Sequence, residues 1–171
     1  LVDIISDLIT TQVNIERFTD LLAVKSDVVD TPEVIEKYGD ILNPKKENWE
    51  PMQGDIEFKD VTFAYEEGIN ILENVDLHVK AGESIALVGP TGAGKSTVVN
   101  LLCRFYNING GKILLHGKDG STHDISEVTL HSLRSQLGIM LQDSFIFSGT
   151  LMDNIRYGRL DATDEEIYSA A

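Results

Sequence analysis

The stretch Gly89-Pro-Thr-Gly-Ala-Gly94-Lys95-Ser96 matches in full the phosphate-loop pattern G-x-x-x-x-G-K-[ST]. Its flanks match as well. The short apolar run at residues 84–88 predicts a buried parallel strand before the loop, and residues 94 to about 106 predict a helix after it. This order of strand, loop and helix favours a phosphate-binding site over a glycine-rich turn that holds no ligand.

Each residue type in the loop has a chemical reason. Glycines allow backbone angles that side chains block, so that consecutive amides can face phosphate oxygens beside the positive end of the helix. Lys95 supplies a positive charge for the β- and γ-phosphates, and the Ser96 hydroxyl can ligate Mg²⁺. The candidate phosphate-binding residues are Gly89, Thr91, Gly92, Ala93, Gly94, Lys95, Ser96 and Thr97. The loop alone leaves the reaction open, because kinases, GTPases, motor ATPases and transporters all use it.

Outward from the loop, the pattern predicts strands first and then alternating strands and helices. Residues 55–65 and 71–79 predict two strands joined by a turn, and residues 112–116 and 138–141 predict two more. Residues 129–136 have helical character, and Thr163 with Glu166 forms a capping box that starts a last helix. The predicted fold class is α/β: a P-loop NTPase core with an N-terminal antiparallel β arm.

The first 54 residues have a different texture. Apolar side chains recur at helical spacing over residues 1–30, until Thr31-Pro32 interrupts the pattern. Residues 31–54 are polar and hold three of the four prolines, which predicts a linker. The alternative for this segment is an irregular loop of the main domain. The predicted organisation is therefore a helix at 1–30, a linker at 31–54 and a domain at 55–171.

Net charge and residue spacing argue against a nucleic-acid partner, a reactive thiol and a metal-binding set of histidines. The net charge of −14 repels phosphodiester backbones, so no nucleic-acid partner is expected. Cys103 is the only cysteine and lies in an apolar stretch, which predicts a core side chain rather than a reactive thiol. His116, His123 and His131 lack metal-ligand spacing and are interpreted as surface or core residues.

Further stretches resemble the nucleotide-binding domain of ABC exporters. The segment Ile56-Glu-Phe-Lys-Asp-Val-Thr-Phe-Ala-Tyr65 is similar to the first strand of that family, which ends in an aromatic residue that stacks on adenine. Tyr65 takes that place, 24 residues before the loop begins. A tyrosine at a strand end is by itself an ordinary surface residue, so this role comes from the resemblance.

Residues 133–143 are similar to the Q-loop segment of the family. The resemblance implies that Gln142 contacts Mg²⁺ and the attacking water. The implied catalytic residues are Lys95 and Gln142, and the implied metal ligands are Ser96 and Gln142. The string Phe145-Ile-Phe147-Ser-Gly-Thr150 is typical of exporters, where it faces the membrane domain. Burial of both phenylalanines in their own domain is the alternative. Residues 12–22 resemble the cytoplasmic end of the last transmembrane helix.

The resemblance implies ATP and Mg²⁺ as cofactors and ATP hydrolysis that drives export at the cytoplasmic face of the cell membrane. The implied partners are a second nucleotide-binding domain, identical or not, and the transmembrane domain of the same protein through the Q-loop region. A degenerate site that holds ATP without hydrolysing it is the alternative. The family continues with a helical subdomain, a signature loop and a Walker B strand with the catalytic glutamate. None of these is in the sequence, which predicts a domain truncated before them. The residues identify no transported substrate.

Overall fold

The computed structural model describes residues 2–140 and 145–171. The chain divides into two compact units, Leu1–Leu137 and Gly138–Ala171. The helices of the first unit are α1 (Val2–Ala23), α2 (Pro32–Tyr38), α3 (Lys95–Leu102) and α4 (Leu130–Ser135). Its strands are β1 (Met52–Glu66), β2 (Ile69–Val79), β3 (Gly110–Gly117) and β4 (Thr122–Asp124). The second unit contains α5 (Leu151–Arg156) and α6 (Asp164–Ala170).

The strands of the first unit form one antiparallel sheet in the order β2-β1-β3-β4. Side chains alternate between the two faces of a strand. On one face, Phe58 in the central strand β1 pairs with Leu77 of β2 and Ile113 of β3. Phe58 and Ile113 are buried, so this face of the sheet forms the core. The antiparallel β arm predicted from the sequence is thereby confirmed, with β3 and β4 added to it.

A bulge interrupts the pairing of β1 after Phe58. Asp60 there adopts a φ of +50°, and Gly111 of the neighbouring strand has a φ of +81°. A Cβ atom on Gly111 would lie 2.3 Å from the Asp60 carbonyl oxygen. Only glycine fits this close approach of the two backbones, so Gly111 fixes how β3 passes the bulge.

Helix α3 packs on the core face of the sheet. Gly94, Thr97 and Leu101 recur at helical spacing and are all buried, so they form the inner face of the helix. Leu101 is fully buried in the cluster that contains Phe58 and Ile113. The predicted helix after the phosphate loop is therefore confirmed, although it ends at Leu102 rather than near residue 106.

The segment predicted as a linker contributes to this core. Val34 and Tyr38 of α2 belong to the same buried cluster, and Tyr38 is only 1% exposed. Strand β1 also begins inside the segment, at Met52. These observations favour the alternative interpretation, in which residues 31–54 are part of the main domain.

A buried ion pair joins the chain before α2 to the end of α3. The Arg104 guanidinium donates to the Asp30 carboxylate at 3.1 Å and to the carbonyl oxygens of Val29 and Val128 at 3.0 and 3.2 Å. Asp30 also accepts the Leu130 amide at the start of α4, at 3.0 Å. One carboxylate thus connects three parts of the chain that are distant in sequence.

Helix α1 confirms the predicted N-terminal helix but ends at Ala23 rather than near residue 30. Its residues from Ile5 onward are exposed. Within the described part of the chain, no helix combines the length and the apolarity that crossing a membrane requires.

Two predicted strands are wrong. Residues 84–88 form no strand, and Ile85, Leu87 and Val88 are 45%, 40% and 93% exposed. Residues 138–140 are also irregular, and Leu141 lies outside the described residues. A parallel strand needs hydrogen-bonded neighbours to offset the entropy of ordering its backbone. Among the described residues neither run has such a neighbour, so apolar composition alone does not produce a strand.

Side-chain caps start both helices of the second unit. The Thr163–Glu166 capping box predicted for α6 is confirmed, and Thr150 with Asp153 forms an equivalent box on α5. Asn154 accepts the Phe147 amide at 2.8 Å and donates to the Phe147 carbonyl at 3.0 Å, so it holds the chain before α5.

Candidate nucleotide-binding site

The phosphate loop and the start of α3 meet at Gly94. This glycine is the N-cap of α3 and has a left-handed φ of +81°. A Cβ atom there would lie 2.8 Å from a methyl carbon of Leu72 and 3.3 Å from the carbonyl oxygen of Ile71. Gly94 therefore allows the loop to turn into the helix while it touches strand β2. Gly92 is also left-handed, whereas Gly89, contrary to the prediction, does not lie among the positive-φ residues.

The Lys95 side chain folds back onto the phosphate loop. Its ammonium group donates to the carbonyl oxygens of Gly89 and Pro90 at 2.8 and 2.7 Å, and the Ala93 amide donates to Pro90 at 3.2 Å. The lysine side chain thus lies across the loop rather than in open solvent. Its charge is placed where the amides at the helix start also carry partial positive charge, an arrangement that suits an anion.

The remaining loop residues divide by exposure. Thr91, Ala93 and Ser96 are exposed, so the Ser96 hydroxyl in the first turn of α3 is free to meet a ligand. Thr97 is 5% exposed, and its hydroxyl lies 3.2 Å from the Tyr65 hydroxyl. The side chain of Thr97 therefore faces the protein, and only its backbone amide is oriented with the helix start.

Tyr65 stands at the end of β1 beside the phosphate-loop helix. Its ring packs edge-to-face on Phe63 and Tyr106, with centroids 4.8 and 4.9 Å apart. It remains 47% exposed, and Tyr106 remains 43% exposed. The structure thus brings together a partly exposed aromatic cluster and the phosphate loop. Tyr106 was not predicted as a site residue, because the predicted helix ran to about this position, whereas α3 ends at Leu102 and leaves Tyr106 in the loop that follows.

Cys103 follows α3 and is 2% exposed. Burial raises the pKa of its thiol, so the neutral form dominates at physiological pH. This confirms the prediction of a core side chain.

Gln142, the remaining predicted site residue, lies outside the described residues. In the second unit, Phe145 and Phe147 pack edge-to-face with centroids 5.0 Å apart and are 78% and 47% exposed. The rings of Phe147 and Tyr157 are 4.7 Å apart. Neither phenylalanine is buried, so the alternative of burial in their own domain is not supported within the described residues.

A family model and curated relatives match this chain. A family model described as "ABC transporter" matches residues 72–171. The chain is 55% identical over 123 residues to "Uncharacterized ABC transporter ATP-binding protein YfiC" of Bacillus subtilis, an alignment that covers 71% of the chain and 20% of that protein. It is 50% identical over 115 residues to "Iron-sulfur clusters transporter ATM1, mitochondrial" of Debaryomyces hansenii, covering 67% of the chain and 16% of that protein.

A solved structure gives the same result. The chain superposes on a bacterial Atm1-family ABC exporter with ATP bound, with a TM-score of 0.74 and 35% sequence identity. The match covers 95% of this chain and 25% of the exporter chain. The chain spans about a fifth of the length of the curated relatives that it matches.

Proposed function

Since the chain belongs to the ABC transporter family, we propose that it forms part of the ATP-binding unit of an exporter, in which ATP binding and hydrolysis drive a substrate across a membrane. The observation that carries this proposal is the geometry around Lys95. Its ammonium group lies across a loop whose last glycine starts α3, at the positive end of the helix. This arrangement suits the polyphosphate of a nucleotide rather than a neutral ligand.

The residues of the loop have separate roles in the proposed site. Lys95 leaves the two carbonyl oxygens and pairs with the β- and γ-phosphates, while the amides of residues 92–97 donate hydrogen bonds to the phosphate oxygens. Ser96 is exposed and offers the hydroxyl oxygen that Mg²⁺ prefers, so the residues present fit this ion. The metal, when bound, neutralises phosphate charge. Gln142 is proposed as a second ligand of the metal and as a residue that orients the attacking water.

Tyr65 is proposed to contact the adenine base. About half of its surface remains open, and its hydroxyl is tied to Thr97 in the helix that follows the phosphate loop. A partly exposed ring in this place can stack on a purine. The base contact and the phosphate contact would then lie in one unit, on a strand and a helix that the hydrogen bond between Tyr65 and Thr97 connects.

The proposed partners are a second ATP-binding unit and the membrane domain of the transporter, at the cytoplasmic face of the membrane. The exposed pair Phe145 and Phe147 supports the second contact, because exposed neighbouring aromatic rings are typical of the centre of a protein interface. No residue of this chain is proposed to bind the transported substrate.

Titration calorimetry with two ligands separates the proposed contacts. The chain is titrated with ATP and with tripolyphosphate, both in the presence of Mg²⁺. Lys95→Ala should weaken both ligands about 10- to 100-fold, because a charge-assisted contact is lost. Tyr65→Ala should weaken ATP about 5- to 100-fold and leave tripolyphosphate unchanged, since only the base contact is removed. Lys118→Ala, an exposed lysine of the β3–β4 loop, is the matched control and should leave both unchanged.

Wild-type affinity of Lys95→Ala for both ligands would contradict the phosphate site, and unchanged ATP affinity of Tyr65→Ala would contradict the base contact. ATP turnover by the whole transporter tests the coupled step. Lys95→Ala should abolish turnover there. A wild-type transporter that binds ATP without turnover would instead favour the alternative of a degenerate site.

A further inference from the structure

Four polar side chains gather on the face of the sheet opposite the core. Asp55 and Glu57 lie two residues apart on β1, so they share the face that Phe58 does not. The strand register places Glu57 opposite His78 of β2 and Asp55 opposite His116 of β3. Two histidines and two carboxylates from three adjacent strands therefore converge.

The distances between these groups are short. The Nε2 atom of His78 lies 2.8 Å from the Oδ1 atom of Asp55. The Nε2 atom of His116 lies 3.3 Å from a Glu57 oxygen and 4.0 Å from the same Asp55 oxygen. The ligand atoms of Asp55, His78 and His116 are all within 4.8 Å of one another. Both imidazoles thus direct the same nitrogen type toward one carboxylate.

An outer hydrogen bond fixes one of the rings. The Nδ1 atom of His116 lies 2.9 Å from the Thr122 hydroxyl on β4. A hydrogen bond at one ring nitrogen orients the other nitrogen, as is common for metal-binding histidines. The side chains of Asp55, Glu57 and His116 are 20%, 22% and 25% exposed, so the cluster is anchored to the sheet yet open to solvent.

We propose that this cluster binds a divalent transition metal ion, with Zn²⁺ as its probe, through the Nε2 atoms of His78 and His116 and the Asp55 carboxylate. Glu57 or a water molecule completes the coordination. Two imidazoles with a carboxylate are ligands that suit Zn²⁺, whereas Mg²⁺ and Ca²⁺ prefer oxygen alone. Tetrahedral ligands at about 2.0–2.1 Å from zinc stand about 3.3 Å from each other. The separations from Asp55 to the two histidines, 2.8 and 4.0 Å, lie on either side of this value, and all three ligand atoms are within 4.8 Å of one another, so side-chain rotations on the fixed strands can bring them to this spacing.

The alternative is that these residues form surface ion pairs only, which contribute little to stability. Two features favour the metal. The ligands are held by strand register rather than by mobile loops, and four strands supply either a ligand or its outer hydrogen bond. Sequence spacing missed the site because each histidine comes from a different strand. The proposal is independent of the nucleotide site and is tested without nucleotide.

The test is titration calorimetry of the metal-free chain with Zn²⁺. We expect saturable binding of one ion per chain. His78→Gln and His116→Gln should each weaken it by more than about 10-fold, since losing even an outer hydrogen-bond partner costs about 10- to 100-fold. Thr122→Val, which removes only that outer partner, should weaken binding about 10-fold. His131→Gln is the matched control because its ring packs on Trp49, outside the cluster, and it should bind as wild type.

Thermal unfolding gives a second measurement on the same variants. Zn²⁺ at about 100 times its Kd should raise the Tm of the wild-type chain by about 5–10 °C. His78→Gln should abolish this shift, while its Tm without metal stays close to that of wild type because the side chain is half exposed. The proposal is overturned by absence of saturable binding, by wild-type affinity in both cluster variants, or by an equal loss in His131→Gln.

Discussion

Removing the Asp30 carboxylate should strongly destabilise the first unit. The Arg104 side chain is 5% exposed and that of Asp30 is 18% exposed, so their contact is largely shielded from water. In Asp30→Ala, the guanidinium keeps the two carbonyl acceptors but loses its counter-ion, and the Leu130 amide loses its acceptor. Leaving one member of a buried pair without its partner costs about 3–5 kcal/mol. Because two hydrogen bonds to Arg104 remain, we expect a loss of about 3 kcal/mol in the free energy of unfolding.

Urea denaturation followed by circular dichroism measures this loss. With a slope of about 1–3 kcal/mol per molar urea, the midpoint should fall by about 1–3 M. The control is Lys37→Gln, which breaks an exposed pair with Glu50 in the same part of the chain. Exposed pairs contribute about 0–1 kcal/mol, so the control should change little. A loss of less than about 1 kcal/mol in Asp30→Ala would refute the reasoning, because the pair would then behave like an exposed one.

Three further predictions concern the backbone, the thiol and a helix cap. Gly111→Ala should destabilise the chain in urea more than Gly68→Ala, because both residues have positive φ but only Gly111 lacks room for a Cβ atom; equal losses would contradict the close approach. Cys103 should resist iodoacetamide in the native chain and react in urea, as read by mass spectrometry, and fast native labelling would contradict its burial. Hydrogen bonds from the Thr150 hydroxyl and amide lower the pKa of Asp153 from the usual aspartate value of 3.8. The Asp153 cap on α5 should therefore persist as the pH falls through 3.8 and be lost only when the pH passes the lowered pKa. Hydrogen exchange at Thr150 measures this, and Asp153→Asn should remove the acid dependence.

The sequence predicts the parts of the fold that local patterns determine. Helix α3 follows from the phosphate-loop pattern, and β1 and β2 follow from alternation beside turn residues. The caps on α6 follow from residue types three positions apart. In each case the stabilising contacts are close in sequence, so the residues themselves contain the information.

The failures concern contacts between distant residues. The run at 84–88 is apolar enough for a strand, but whether it forms one depends on neighbours that local sequence does not reveal. The pairing of Arg104 with Asp30 spans 74 positions, and Tyr38 reaches the core from a segment whose prolines indicate a linker. His78 and His116 meet only because of strand register. None of these contacts produces a periodic pattern in the sequence.

The antiparallel sheet has a consequence for the proposed nucleotide site. The run before the phosphate loop is irregular, so no strand leads into α3. The helix start contacts the sheet through Gly94 against Leu72 and through the hydroxyl contact between Thr97 and Tyr65. Strands β1 and β2 therefore fix both the start of the phosphate-loop helix and the proposed base contact. A preformed site binds its ligand more tightly than a site that must be ordered on binding. This shared support should therefore raise the affinity for ATP, which uses both the base contact and the phosphate contact. Thr97→Val, which breaks only the hydroxyl contact, should then weaken ATP binding but not tripolyphosphate binding.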